Sequence, residues 1–519
     1  MLFLLDYGAG NVTSLANSIR QLGHEFRWIE QPTDFAQATS LVFPGVGAFE
    51  SAIQHLARRG LLEPLREYIR SGRPYFGICI GMQRFSDHDK SVPHIGWNSA
   101  DLLDASPEEP DAFYYFVHSY CAKYNPEKYP EAAEWAHATT QYGQELFISA
   151  VRKGNVFGTQ FHPEKSGDAG LALLAKWLRA PDAVHAPAAA PRVARALSPT
   201  HGLTKRIIAC MDVRANDAGD LVVTKGDQYD VREKDPSAAV IAAGAVRNLG
   251  KPVALAARYY AAGADELCLL NITSFRHSPL QDQPMLAVVR AAAERLFVPL
   301  TIGGGIKDSV DPDGTARSAL EVASAYFRAG ADKVSIGSEA VYAVERLRAR
   351  GGAADGTSAI ETIAHAYGRQ AVVVSIDPRR VSVGADYDGP YKDELVRGAD
   401  GTAWWYQCTV SGGRESRPLS VVQLAQGVDV LGAGEILLNS IDRDGTGLGF
   451  DLDLLALVKR SVRIPVVASS GAGSAAHFVD AFAQTGVEAA LAAGIFHREE
   501  VGIDEVKDAL RAAGIHVRR

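Results

Sequence analysis

Two short stretches hold the residue types that nucleophilic chemistry needs. The first is Gly77-Ile78-Cys79-Ile80-Gly81, which closes an apolar run from Pro74 to Ile78. The run reads as a buried parallel strand, with a short helical segment expected after it. Glycines two residues either side of Cys79 permit a tight, strained turn that lifts the thiol out of the sheet, as in a nucleophile elbow with Cys in place of Ser. A sulfur at the start of a helix is also biased towards thiolate by the helix dipole and free N–H groups. A lone Cys after a strand is more often a buried structural residue. The second stretch, Gly158-Thr159-Gln160-Phe161-His162-Pro163-Glu164, argues for chemistry instead. It supplies a base, His162, and a carboxylate two residues on, Glu164, to orient it.

A different chemistry is suggested farther along by an internal repeat. Met211-Asp212 matches Ile376-Asp377, and Gly263-Ala264-Asp265-Glu266-Leu267 matches Gly432-Ala433-Gly434-Glu435-Ile436. Ile302-Gly303-Gly304-Gly305 matches Ser469-Ser470-Gly471-Ala472-Gly473, and Gly330-Ala331-Asp332-Lys333 matches Gly486-Val487-Glu488-Ala489. All four offsets fall between about 155 and 170 residues, in the same order, which reads as two half-barrels. Each half then places one Asp at the end of its first strand. Asp212 and Asp377 would face each other across one pocket, as a general acid and a general base should. Each half also supplies glycine-rich strand ends: Gly303-Gly304-Gly305 and Gly337-Ser338 in one, Ser470-Gly471-Ala472-Gly473 and Ala493-Gly494 in the other. Bare N–H groups there suit anions, so a substrate with a phosphate at each end is expected.

The elements that must position these residues alternate strand and helix throughout. Over 1–180 strands are expected at Leu2–Asp6, Ser40–Phe43 and before Cys79, then at Phe113–Val117, Glu134–Thr139 and Leu146–Arg152. This is an α/β domain with its reactive loops at strand ends. Residues 181–202, with four prolines and many alanines, read as a linker. Over 203–519 eight strands recur: Arg206–Asp212, Glu266–Asn271, Leu300–Gly303, Lys333–Ile336, Ala371–Asp377, Glu435–Leu438, Val466–Ser469 and Ala489–Ala492. Eight β-then-α units predict a (β/α)8 TIM barrel.

The bulk properties narrow the class. A chain of 519 residues has room for two or three domains. A formal net charge of −8 without a basic block argues against nucleic-acid binding. Five cysteines, odd in number and without CxxC spacing, fit a reducing compartment and give neither a disulfide framework nor a metal site. No apolar run is long enough for a membrane span, and Leu2–Leu5 enters a strand at once, so a cytoplasmic enzyme is expected.

Several motifs carry a family resemblance: Asp6-Tyr7-Gly8-Ala9-Gly10-Asn11, Pro44-Gly45-Val46-Gly47, Gly77 to Gln83, His94-Ile95-Gly96-Trp97-Asn98 and Gln160 to Gly167. In the second part they are Arg206 to Asp212, Gly330 to Ser335 and Ser440-Ile441-Asp442-Arg443-Asp444-Gly445-Thr446. The first part resembles the class I glutamine amidotransferases. The second resembles the cyclase of imidazole glycerol phosphate synthase. Together they resemble the fused amidotransferase/cyclase family of histidine biosynthesis.

That resemblance implies a glutaminase triad of Cys79, His162 and Glu164, with Gly47 and Gln83 binding glutamine and Pro44–Gly47 forming the oxyanion strand. It implies an acid/base pair of Asp212 and Asp377, and a substrate lysine, Lys225, on a mobile loop. One phosphate would sit at Gly305, Gly337 and Ser338, the other at Asp444, Gly445, Gly471 and Ala493. Arg206, Glu266, Lys333 and Glu435 would ring the ammonia entrance at the barrel bottom. The implied substrates are glutamine and phosphoribulosyl-formimino aminoimidazole carboxamide ribotide. The implied products are imidazole glycerol phosphate, an aminoimidazole carboxamide ribotide and glutamate, made with no metal or organic cofactor by a monomer whose two domains dock on each other.

One departure stands out: the stretch between Gln83 and His94 is only RFSDHDKSVP, shorter than the family's. It leaves open a cyclase whose amidotransferase half is impaired or regulatory. A barrel isomerase of the same pathway would share the twofold Asp and phosphate sites but would consume no ammonia. Residues 306–330, 341–360 and 378–420 are longer than in stand-alone cyclases, as the fused type implies.

Overall fold

Short runs of buried, mostly apolar residues build the centre of the first part. In the computed structural model Leu2–Leu5, Ser40–Phe43, Tyr75–Ile78 and Val156–Thr159 lie side by side in parallel. They form the middle of an eight-stranded sheet. Arg27–Ile29 adds on one edge; Glu145–Lys153, Ala136–Tyr142 and Asp101–Leu102 add antiparallel on the other. Asp89–Ser99 and Phe113–Cys121 pair separately as an antiparallel ribbon. The structure describes residues 1–8, 10–45, 49–79, 89–103, 112–181, 194, 197, 202–215, 221–224, 252–272, 284–311, 313–384, 386–398 and 400–518.

The strand expected at Glu134–Thr139 starts later. Pro130–Trp135 is a helical turn and the strand is Ala136–Tyr142. Proline's fixed φ and missing N–H suit the first position of a helix, which is where Pro130 stands.

All eight expected barrel strands form, at Arg206–Ala215, Glu266–Asn271, Leu300–Gly303, Lys333–Ile336, Val372–Ile376, Glu435–Asn439, Val466–Ser469 and Ala489–Ala492. Each pairs in parallel with the next, and the last pairs with the first through Arg206↔Ala489, which closes the barrel. Along the first strand Ile207, Ala209 and Met211 join the large core that includes the surrounding helices, whereas Ile208 and Cys210 join a second cluster with Val373, Leu437 and Leu491. That alternation separates the outside of the barrel from its lumen. The extra length at 378–420 forms an antiparallel sheet of Pro378–Val383, Val396–Arg397, Ala403–Val410 and Glu415–Ser420.

The last helix of the first part ends at Arg179, and most of 181–202 lies outside the described residues. The first part packs on the strand-start end of the barrel. The Trp97 indole donates to Asp265 O at 2.9 Å, Gly167 N to Phe297 O at 2.9 Å and Asn17 Nδ2 to Ala293 O at 3.0 Å. Arg328 grips Asp6 with two bonds of 2.9 Å, and Ser119 Oγ donates to Gln370 at 2.8 Å. Asp265, Phe297, Arg328 and Gln370 each lie shortly before a barrel strand, so the contact surface is the bottom of the barrel.

Candidate active sites

Cys79 ends the central strand in a left-handed conformation, φ 50°, which a non-glycine residue adopts only under constraint. Part of that constraint is its own N–H, which donates to Thr159 O at 2.6 Å. The strain expected at this position is therefore present at Cys79 itself. Gln160 Nε2 donates to the sulfur at 3.3 Å. His162 is hydrogen-bonded to Cys79 on one side, and its Nδ1 lies 2.8 Å from Glu164 Oε1 on the other. Burial works to lower the pKa of His162, but the adjoining Glu164 carboxylate and the bond to Cys79 outweigh it, and the value is pushed up to about 10. An imidazolium at neutral pH is the partner that a cysteine thiolate requires.

This triad opens on a cavity of about 40 Å3 between the two parts. Its far wall comes from the barrel, through Asp332 and Gln370 among others. Lys165 Nζ meets Asp332 Oδ2 at 2.7 Å, and Asn11 Nδ2 donates to Asp332 Oδ1 at 2.9 Å. Tyr115 lines the same cavity, fully buried, and its hydroxyl has no hydrogen-bond partner among the described residues. That hydroxyl lies in the electrostatic field of Glu266, Arg206 and Glu435. Tyr115 therefore stands between the triad's cavity and the barrel bottom.

Arg206, Glu266, Lys333 and Glu435 are each the first residue of a barrel strand, and all four are buried. Arg206 pairs with Glu266 at 2.7 Å and also with Glu435; Lys333 pairs with Glu266 at 2.8 Å and with Glu435 at 2.6 Å. Two positive and two negative groups alternate, so each carries a partner on both sides. A buried charge needs such pairing to survive desolvation.

At the opposite end of the barrel a cavity of about 730 Å3 has both Asp212 and Asp377 in its wall. Asp212 lies within a strand and Asp377 directly after one, so neither is a helix cap. Burial pushes the Asp377 carboxyl up, and Asp444 adds to this, while Asn439 Nδ2, 2.6 Å from Oδ1, pulls the other way. Gly305, Gly337 and Ser338 border this cavity on one side of the repeat. Asp444, Gly445, Gly471 and Ala493 border it on the other. Gly471 has φ 96°, and a Cβ there would overlap Gly449 O, so only glycine fits.

Gly47, Gln83 and Lys225 lie outside the described residues, as does the segment that should follow Cys79. Sequence reasoning did not single out Tyr115, Asn439, or the Lys165–Asp332 pair. Lys165 and Asp332 each sat inside a motif, but their partnership spans the two parts and leaves no local pattern. The motif His94 to Asn98 is packed rather than reactive. His94 stacks between Phe116 and Tyr142 and hydrogen-bonds His118 at 3.1 Å.

The comparisons with known proteins agree with this layout. Residues 3–179 match the family model described as "Glutamine amidotransferase class-I", and 206–502 match "Histidine biosynthesis protein". The chain is 50% identical to the imidazole glycerol phosphate synthase hisHF of Emericella nidulans, over 99% of this chain and 98% of that protein. It is 49% identical to the chloroplastic hisHF of Arabidopsis thaliana, over 99% and 89%. The imidazole glycerol phosphate synthase subunit HisF of Halobacterium salinarum matches only 61% of this chain, at 39% identity over 98% of its own length. The fungal alignment runs over 550 positions against 519 residues here, so it leaves at least 31 positions empty in this chain. Similarity over both parts favours the two-activity reading over a cyclase with a regulatory appendage. The chain belongs to the bifunctional imidazole glycerol phosphate synthases, enzymes that join a class I glutamine amidotransferase to a histidine-biosynthesis barrel.

Proposed function

We propose that Cys79 attacks the glutamine carboxamide, with His162 as its proton partner and Glu164 holding the imidazole. The observation that carries this is the Cys79–His162–Glu164 alignment at a strained strand end, open to a cavity at the domain junction. The attack leaves a glutamyl thioester and frees ammonia, with His162 giving its proton to the departing nitrogen; water then releases glutamate. Gly47 and Gln83 bind glutamine in this reading.

Ammonia released into bulk water would be protonated and lost as a nucleophile. The proposed route runs past Tyr115, through the ring of Arg206, Glu266, Lys333 and Glu435, and up the apolar lumen to Asp212 and Asp377. There it joins phosphoribulosyl-formimino aminoimidazole carboxamide ribotide, whose two phosphates would sit at the two glycine-rich ends. The raised Asp377 carboxyl suits the acid role and Asp212 the base role. Lys225 would close over the substrate. No helix among the described residues is long and apolar enough to cross a membrane. The cytoplasm and a monomeric state are part of the proposal. Supplying the purified chain with glutamine or with ammonium salt tests the whole reading. Both should yield imidazole glycerol phosphate, and failure with either donor would contradict it.

A further inference from the structure

The barrel lumen carries two cysteines that none of this chemistry uses, one of which, Cys210, lines the cavity floor. Cys210 on the first barrel strand and Cys268 on the second are direct Cα partners in the parallel register. Directly paired residues point to the same face of a sheet. Here that face is the lumen: both pack with Ile208, Val373 and Leu437, whereas their neighbours Ala209, Met211, Leu267 and Leu269 join the outer core. Cys210 borders the cavity, with Cys268 beside it on the neighbouring strand. Asp212 stands two residues farther along the same face, about 6–7 Å on.

We infer that Cys210 and Cys268 form a vicinal dithiol site at the base of the cyclase cavity, whose ligand class is the trivalent organoarsenicals, which bind two sulfurs at once. A disulfide fits less well. It needs Cβ atoms about 3.8 Å apart, and neighbouring strands hold paired residues at about 4.8 Å. A bridging arsenic atom spans the larger gap. With a hydrated organoarsenical, RAs(OH)2, two As–S bonds form and two As–O bonds break. The thiol protons leave with the hydroxides as two waters, and arsenic stays trivalent. No charge is created, so the neighbouring Cys268 thiol and the burial that together push the Cys210 thiol up do not oppose the product. The other cysteines have no such partner in register: Cys121 pairs with Asp89 and Cys408 with Pro378, and Cys79 meets Gln160 and His162.

Phenylarsine oxide is the probe, read by intact mass, by peptide mapping and by ammonia-dependent turnover. The wild type should take up one phenylarsenic group with loss of two protons, mapped to Cys210 and Cys268. It should lose ammonia-dependent turnover and recover it with 2,3-dimercaptopropanol. Cys268→Val leaves a single sulfur and should need on the order of 10²-fold more reagent, since two-point attachment is worth about 10²–10⁴. Cys268→Ala serves if the larger side chain impairs folding. The mass readout stands apart from the cyclase reading, on which only the activity arm rests. No adduct, an adduct mapped to Cys79, or a Cys268 variant as sensitive as wild type would overturn the inference.

Discussion

Glu164→Gln keeps the shape of the side chain and removes the charge 2.8 Å from His162 Nδ1. Burial alone would hold this imidazole below its ordinary 6.5, yet it stands at about 10, with Glu164 the strongest influence in the upward direction. At about 1.36 kcal/mol per pKa unit, the gap corresponds to about 5 kcal/mol of preference for the imidazolium. Without the carboxylate His162 should fall back towards or below 6.5 and be mostly neutral at about pH 8. Glutamine-dependent turnover should then drop by about 10²–10⁴-fold, the usual worth of a positioned proton carrier, while ammonia-dependent turnover is unchanged. The sign of the stability effect follows from the raised value. The stability that His162 contributes is complete below about pH 6.5 and is lost as pH rises through about 10. Melting temperature should therefore decline less over that window in Glu164→Gln than in wild type. Steady-state rates with both donors, an NMR titration of His162 and melting curves across the window check all three. A variant with full glutamine turnover and His162 still protonated at about pH 8 would refute the reasoning.

Asp212→Asn and Asp377→Asn should each lower turnover by about 10²–10⁴-fold with glutamine and ammonium alike; a full cyclase rate in either would remove that carboxylate from the chemistry. Lys333→Ala leaves Glu266 and Glu435 with Arg206 as their only cation in the ring, so a stability loss of about 3–5 kcal/mol in denaturant is expected. The same variant should make glutamate faster than imidazole glycerol phosphate while keeping its ammonia-dependent rate; coupling held at one to one would leave the ring a stability feature. Restoring a family-length stretch between Gln83 and His94 should raise glutaminase activity or solubility, and equal activity with and without it would show that the short form is tolerated.

Much of this was legible because the signals are local and repeated. The barrel strands begin where charged or apolar residues follow a Gly-Ala-Asp-type turn, and two half-barrels carried the pattern twice. Cys79 and His162 were marked by glycines and by sequence neighbours. The Lys165–Asp332 pair was not legible, because its members are far apart in sequence and meet only when one part docks on the other. Tyr115 was hidden for the same reason, since an apolar strand residue shows nothing of the ring beneath it. Asn439 escaped because a polar residue at a strand end reads as a turn signal, whereas it holds Asp377 at 2.6 Å. The helical turn at Pro130 was missed because the strand pattern of Glu134–Thr139 outweighed the proline before it.

The central claim is that glutamine is opened at Cys79 and that its nitrogen reaches the barrel from there. Cys79→Ala, assayed for imidazole glycerol phosphate with each nitrogen donor in turn, tests it most directly. The account predicts no turnover with glutamine and a wild-type rate with ammonium salt. Turnover with glutamine in that variant, or equal loss with both donors in a folded chain, would contradict it.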